Sequence, residues 1–328
     1  MERLSLALTV LPQPLIERIA ALQLVLKETP TVRLSWEGLN LHAKLEGQNP
    51  VGSLKDRPAL WVLKRAAERG ELHEGSTIVE SSSGNFASAL ATYAKLLGLK
   101  FIPVIDPNIT PGYESFLERT CEQVVKVTER DDMGGYLKTR LNKVRELCGT
   151  IQGAFWPNQY GNPDVVEAHY WLTGEEIRRT FQRLDYVFVG VSTGGTIAGV
   201  SRRLKEVFPS IRVVAVDAQG SVIFGGAAGK RFIPGIGASV RPELVNHALI
   251  DDVVLVPEYE TVQCCRELLL QHNLLVGGSS GSCFAAVKRY LPRFRELPTP
   301  PTVLFMCADR GTAYLDTIFS PSWTARFS

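Results

Sequence analysis

Apolar, β-branched runs alternate with amphipathic stretches along most of the chain, and this alternation commits it to a largely parallel sheet covered by helices on both faces. The first series predicts a strand at Thr77–Glu80, a helix from Ala87 to Leu97 closed by Gly98, and a strand from Phe101 to Ile105. A helix from Glu114 to Cys121, a strand from Val124 to Val127 and a helix from Gly135 to Cys148, ended by Gly149, complete a βαβαβα unit. The second series opens with an uncharged strand, Tyr186–Val191, then a Gly/Ser/Thr turn and a helix from Ile197 to Val207. Strands at Arg212–Asp217, Val253–Val256 and Val303–Met306 follow. Between them, Gly220 to Ser239 is Gly-rich and aperiodic, as binding loops often are. The chain has no internal repeat or polar linker, so two lobes with a broad interface and a cleft are expected.

Composition narrows the function classes. The 36 Lys+Arg against 34 Asp+Glu leave a formal charge of +2, which argues against a protein that neutralises nucleic-acid phosphates. A hydrophobic fraction of 45% with 21% charged residues suits a globular chain, and 328 residues correspond to about two domains at ~150 residues each. The uncharged stretch Val187–Val200 is too short and too polar to span a membrane. Six cysteines without CxxC pairs read as reduced structural thiols, and five histidines without HExxH spacing predict no metal site. Met1–Leu11 has a short apolar run, but Glu2 interrupts its start and an amphipathic helix follows Pro14; a cytoplasmic protein is expected.

Four segments carry chemistry. Asn49-Pro50-Val51-Gly52-Ser53-Leu54-Lys55-Asp56-Arg57 reads as a turn feeding a helix from near Ser53, so Lys55 falls in the first turn, where the dipole biases its amine toward the neutral nucleophile. A surface lysine at a helix start would look the same. Glu80-Ser81-Ser82-Ser83-Gly84-Asn85 joins a strand to a helix and offers hydroxyls and amides to a carboxylate, where simple N-capping would explain one serine. Ser192-Thr193-Gly194-Gly195-Thr196 has the same placement; its glycines let a ligand approach, and its donors suit a phosphate monoester. It lacks a P-loop lysine and GxGxxG spacing, which disfavours a nucleotide, and a structural turn is its plain alternative. Gly277-Gly278-Ser279-Ser280-Gly281-Ser282 opens a further helix.

Together and in this order, these segments resemble the fold type II pyridoxal phosphate (PLP) enzymes, the cysteine synthase and cystathionine β-synthase family. The resemblance implies a tryptophan synthase β-like α/β fold of two open twisted lobes with PLP in the cleft. Residues 1–44 and 156–328 would form the larger, phosphate-binding lobe, and residues 45–155 a smaller, mobile lobe that takes the substrate carboxylate. By the same resemblance Lys55 forms the Schiff base, Asn85 meets the phenolic oxygen, Ser192, Thr193, Gly194, Gly195 and Thr196 hold the phosphate, and Ser279 meets the pyridine nitrogen. A neutral hydroxyl there suits β-elimination better than transamination. A homodimer is also implied.

Within the family the likeness runs to members that join O-phospho-L-serine to L-glutamate through an aminoacrylate, toward 2,3-diaminopropionate for siderophores. Gly134-Gly135-Tyr136-Leu137 with Thr139-Arg140, Asn158-Gln159-Tyr160, Val216-Asp217-Ala218, Gly220–Gly225, Pro234–Ser239 and Asp309-Arg310-Gly311 with Tyr314-Leu315-Asp316 carry it. Phe86 stands where cysteine synthases usually have threonine, and Ser192 where they have glycine. Substrate contacts are therefore expected from Ser82, Ser83, Gly84 and Phe86, with Arg140, Tyr160 and Ser192 near the leaving phosphate and Gln159 on the carboxylate. Arg231 and Arg241 are candidates for a second, dicarboxylic substrate, and His169 is expected to be packed rather than catalytic, since the Lys55 amine can itself move the α-proton. A cysteine synthase is the nearest rival; a non-catalytic binder would be expected to have lost Lys55 or the loop glycines.

Overall fold

The computed structural model describes residues 14–132 and 134–327. The expectation for Met1–Leu11 lies outside them. Helix α1 (Leu15–Gln23) leads into the antiparallel pair β1 (Thr31–Leu34) and β2 (Asn40–Leu45), followed by α2 (Asp56–Glu68). A βα run then lays down β3 (Thr77–Ser81), α3 (Asn85–Leu97), β4 (Lys100–Ile105), α4 (Pro111–Thr120), β5 (Val125–Lys126), α5 (Leu137–Thr150) and β6 (Ala154–Phe155). The chain continues through α6 (Pro163–Ala168), a π-helical turn (His169–Gly174) and α7 (Glu175–Thr180) to β7 (Tyr186–Gly190), α8 (Gly195–Val207) and β8 (Arg212–Ala218). After a long irregular segment come β9 (Asp252–Val256), α9 (Glu258–His272), α10 (Gly278–Arg295), β10 (Thr302–Cys307) and the short α11 (Pro321–Thr324).

These strands form two sheets. One has six strands in the order β1-β2-β10-β7-β8-β9, parallel except for β1; the other has four parallel strands in the order β5-β4-β3-β6. Strands covered on both faces must be apolar at successive positions, and these are. In β7, Val187 and Val189 pack on one face and Phe188 on the other. In β3, Ile78 packs toward α2 and α3 while Val79 joins Val144 of α5. The C-terminal ends of β3 and β7 both open into a cleft, the usual ligand position for parallel sheets.

Helices α5 and α2 differ from expectation in their limits. Helix α5 runs through Gly149 to Thr150, whose hydroxyl donates back to Glu146 and Leu147 carbonyls at 3.1 and 3.2 Å. Glycine permits a left-handed stop but does not impose one, and Gly149 is not among the glycines with positive φ. Its start shifts to Leu137 because the Asp131 carboxylate accepts from the amides of Gly135 (2.9 Å) and Lys138 (3.1 Å). Helix α2 begins at Asp56 rather than near Ser53: residues 51–54 form a turn whose amides at Val51 and Gly52 donate to the Asp56 carboxylate at 3.1 and 3.3 Å. All six cysteines are free, and among the described residues no helix is long and apolar enough to cross a membrane.

Candidate active site

Lys55 lies one residue ahead of α2, with φ −75° and ψ −14°, and not inside the first turn. Its Nζ points at the turn after β7, 3.4 Å from Thr193 Oγ1. Burial lowers its pKa to about 8, against the opposing pull of the Glu80 carboxylate. Desolvation, rather than the helix dipole, is therefore what favours the neutral amine. Two residues on, Arg57 is buried in a neutral four-charge cluster: it donates to Glu46 at 2.7 Å and to Glu176 at 2.5 Å, and Lys44 meets Glu176 at 2.8 Å. Buried charges persist only with such partners, so the cluster ties the start of α2 to β2 and α7.

The turn after β3 supplies a second wall. Ser82 Oγ accepts from the Ala87 amide at 3.1 Å, so one serine is indeed spent on capping α3. Ser83 Oγ is 3.5 Å from an Arg140 guanidinium nitrogen, and Arg140 Nε pairs with Asp106 at 3.2 Å. With its side chain only 11% exposed, Arg140 is not a solvated surface residue. Asn85 donates to Asp309 at 2.7 Å and accepts from the Tyr113 hydroxyl at 2.5 Å, leaving one amide hydrogen for a ligand. Phe86 is 2% exposed and packs into the core beneath the loop while touching the cleft wall.

The turn after β7 is held differently. Gly194 has φ +89°, and a Cβ there would sit 2.7 Å from Val245; one on Gly195 would sit 2.4 Å from Val165. Packing against the protein's own side chains, beyond ligand approach, demands these glycines. Ser192 Oγ donates to the Gly237 carbonyl at 3.3 Å, tying the turn to the long segment after β8. Opposite, Ser279 lies in the first turn of α10, 7% exposed.

Lys55, Ser192, Thr193, Gly194, Thr196 and Ser279 together line a small cavity of about 40 Å³ that contains no acidic side chain. The first amides of α8 have no intrahelical acceptor. A set of hydroxyls and amides free of carboxylates, beside an amine whose basicity is lowered, fits a phosphate monoester bearing an aldehyde. A contiguous cleft of about 200 Å³ joins Lys55, Asn85, Phe86, Arg140, Gln159, Tyr160, Ser192 and Ser279 with the 82–84 turn. Gln159 is fixed by donating to the Ser81 carbonyl at 3.1 Å, and burial raises the Tyr160 phenol above its ordinary range. Arg231 and Arg241 do not line this cleft: Arg241 donates to the Ile223 carbonyl at 2.6 Å, and Arg231 faces Asp217.

Several participants were given no role by the sequence, even where they lie inside the segments it marked. Glu80 is fully buried and pushed up to about 7, although the Ser81 and Gln159 amides and the Trp156 indole donate to it. Asp309 accepts from Asn85 and, at 2.6 Å, from Tyr314, and burial raises its pKa. Tyr113 and Asp106 arrive from α4 and the end of β4. Their one sequence cue is position: Asp106 and Asp309 each follow a parallel strand at its C-terminal end.

Comparison with known proteins agrees with this geometry. The pattern of the family described as "Pyridoxal-phosphate dependent enzyme" matches residues 22–309. The chain is 43% identical over 305 residues to the N-(2-amino-2-carboxyethyl)-L-glutamate synthase of Ralstonia nicotianae, covering 92% of this chain and 89% of that one. It is 42% identical to the enzyme of the same name from Cupriavidus metallidurans, covering 87% and 84%. Among solved structures, the O-acetylserine dependent cystathionine β-synthase from Helicobacter pylori matches with a TM-score of 0.82 at 30% identity, covering 90% of this chain and 96% of that one. O-ureido-L-serine synthase matches at 0.83 and 29%, covering 96% and 99%. The chain belongs to the pyridoxal-phosphate dependent enzyme family, and its fold is that of the cysteine and cystathionine synthases.

Proposed function

We propose that the protein is an N-(2-amino-2-carboxyethyl)-L-glutamate synthase, which joins O-phospho-L-serine to L-glutamate by β-replacement and releases phosphate. The observation that carries this reading is the meeting of Arg140, Tyr160 and Ser192 with Lys55 in one cleft, a fixed cation and two hydroxyls beside the amine. The names of the 43% and 42% identical relatives support it. Bound at Lys55, PLP would supply the electron sink for bond cleavage at the substrate's α- and β-carbons.

This chain's residues divide the remaining work. Thr193, Thr196 and the first amides of α8 hold the cofactor phosphate, and Ser279 offers the ring nitrogen a neutral hydroxyl. The N-terminus of α3, with Ser83 and Gly84, takes the α-carboxylate, and Gln159 keeps one N–H free for it. Lys55 Nζ takes the α-proton. Arg140 and Tyr160 then stabilise the departing phosphate, joined by Ser192 once its hydroxyl turns from the Gly237 carbonyl. With the α-proton gone, the carbon–oxygen bond breaks and phosphate leaves; the glutamate nitrogen then bonds to the β-carbon and gives up a proton, while Lys55 Nζ returns one to the α-carbon.

Room for a second amino acid favours glutamate over sulfide. Beyond the wall made by Asn85, Tyr113 and Asp309 lies a further cavity of about 350 Å³, bordered by Ser88, Thr110 and Arg310. Arg310 donates from Nε to the Gly47 carbonyl at 2.5 Å, and no ion pair engages it among the described residues. The test is product analysis by mass spectrometry with O-phospho-L-serine and either L-glutamate or sulfide. The conjugate with release of phosphate is expected from glutamate; cysteine from sulfide with no conjugate would make the enzyme a cysteine synthase. We further propose a cytoplasmic homodimer that supplies 2,3-diaminopropionate for a siderophore, with the lobe of residues 45–155 closing on the other. Sedimentation and scattering with and without substrate test assembly and closure.

A further inference from the structure

His169 opens the π-helical turn between α6 and α7 and is 0% exposed. A π turn is a widened insertion, often found where a side chain must be placed for function. Here it brings the ring against α8 so closely that a Cβ on Gly199 would lie 2.6 Å from His169 Cβ. Both ring nitrogens are engaged by hydroxyls: Nδ1 lies 3.0 Å from Thr173 Oγ1, and Nε2 lies 3.2 Å from Thr196 Oγ1. Thr196, in the first turn of α8, lines the Lys55 cavity.

Two directions are open to such a chain of hydrogen bonds, and they have different consequences. If the Thr196 hydroxyl donated to Nε2, its single proton would be spent, and it could offer an anion only lone pairs. If Nε2–H donates to Thr196, the hydroxyl proton is free for an acceptor in the cavity, and Nδ1 accepts from Thr173. A phosphate monoester bears only acceptors at neutral pH over most of its surface, so it selects the second direction.

We propose that His169 is a positioning residue for the cofactor phosphate: a neutral imidazole, protonated at Nε2, that turns the Thr196 hydroxyl into a committed donor. This rests on the reading of residues 192–196 as the phosphate seat. Thr173 follows by donating its hydroxyl proton to Nδ1, so that the relay Thr173–His169–Thr196 has one polarity when the cavity is filled.

Binding of PLP and of pyridoxal, which lacks the phosphate, to the full-length chain tests this without recourse to turnover. Thr196→Val is expected to weaken PLP about tenfold, the effect of losing one hydrogen bond to a charged group, and to leave pyridoxal unchanged. His169→Leu should do the same, and the double variant should be no weaker than Thr196→Val alone. His169→Gln, which can donate to Thr196, should recover most of the loss. Nitrogen-15 NMR of histidine-labelled holoenzyme should show His169 protonated at Nε2 and bare at Nδ1. Equal weakening of PLP and pyridoxal by His169→Leu, or a ring protonated at Nδ1 in the holoenzyme, overturns the proposal. If His169→Leu does not fold, the glutamine variant and the NMR tautomer decide it. Unchanged PLP preference in Thr196→Val would instead overturn the phosphate-seat reading itself.

Discussion

The turns after β3 and β7 have the same local form, a parallel strand leading through small residues to a helix N-terminus, yet they are built to different tolerances. After β7, Gly194 and Gly195 press against Val245 and Val165 with no room for a methyl group, and Ser192 and Thr196 already have protein partners. After β3, a Cβ on Gly84 would meet nothing within 4 Å among the described residues, and among them Ser83 is held by a single 3.5 Å contact from Arg140. A seat whose backbone and hydroxyls are fixed by packing suits a resident phosphate. A looser turn suits a carboxylate that must come and go with each turnover. On the proposed function, two turns of similar sequence thus separate into anchor and receiver through what lies behind them.

Substitutions at these sites can break that comparison. The largest effect is expected at the residue both turns face: Lys55→Ala should abolish turnover while the circular dichroism spectrum and melting transition persist, because an alanine ahead of α2 disturbs no cap hydrogen bond of its side chain. Gly195→Ala is next. Overpacking against Val165 should cost about 1–3 kcal/mol in denaturant unfolding and weaken PLP binding. Gly84→Ala should change stability by less than ~0.5 kcal/mol, and equal penalties at the two glycines would erase the distinction drawn here. Arg140→Met should raise the KM for O-phospho-L-serine about tenfold or more through loss of a charge-assisted contact, read from initial-rate kinetics.

The smallest effect concerns pH. The Lys55 amine is neutral above about 8, so capture of PLP by the full-length apoprotein should accelerate with rising pH and level off above that value. Its folded value lies below the ordinary 10.5, so holding the protonated amine costs stability below about pH 8, and the cost disappears as pH rises toward 10.5. The Glu80 carboxylate opposes this shift, and Glu80→Gln should move the inflection to lower pH. A shift to higher pH would show that Glu80 does not act on Lys55 through its charge.

Much of the site was legible because parallel α/β folds place chemistry at strand ends, where local sequence marks it. Strand–turn–helix patterns and small residues mark the 82–85 and 192–196 segments and Lys55, while Ser279 stands out only through the family resemblance; the fold brings all of them to one cleft. Lys55 does line the cleft, but one residue ahead of the helix rather than in its first turn, and its altered basicity has another cause: the sequence pointed to a helix dipole, and the fold supplies burial. Arg140 read as equally consistent with a solvated helix residue, since nothing near it in the chain announces Asp106 or Ser83. Arg231 and Arg241 were attractive because they flank a Gly-rich segment, yet the fold turns them onto Asp217 and the Ile223 carbonyl. Arg310 was marked only as part of the Asp309-Arg310-Gly311 likeness, and nothing in that segment announces the cavity it borders.

The sequence by itself determined the architecture and the cofactor-binding family, because period, turn chemistry and the order of four short segments are local properties that survive reading one residue at a time. The tertiary structure alone decided which groups are buried, which hydroxyls are already spoken for and which glycines are jammed against side chains. It also joined Asn85 to Asp309 and His169 to Thr196 across 224 and 27 residues of chain. Those facts depend on desolvation and on contacts between distant segments, and no local pattern encodes either one.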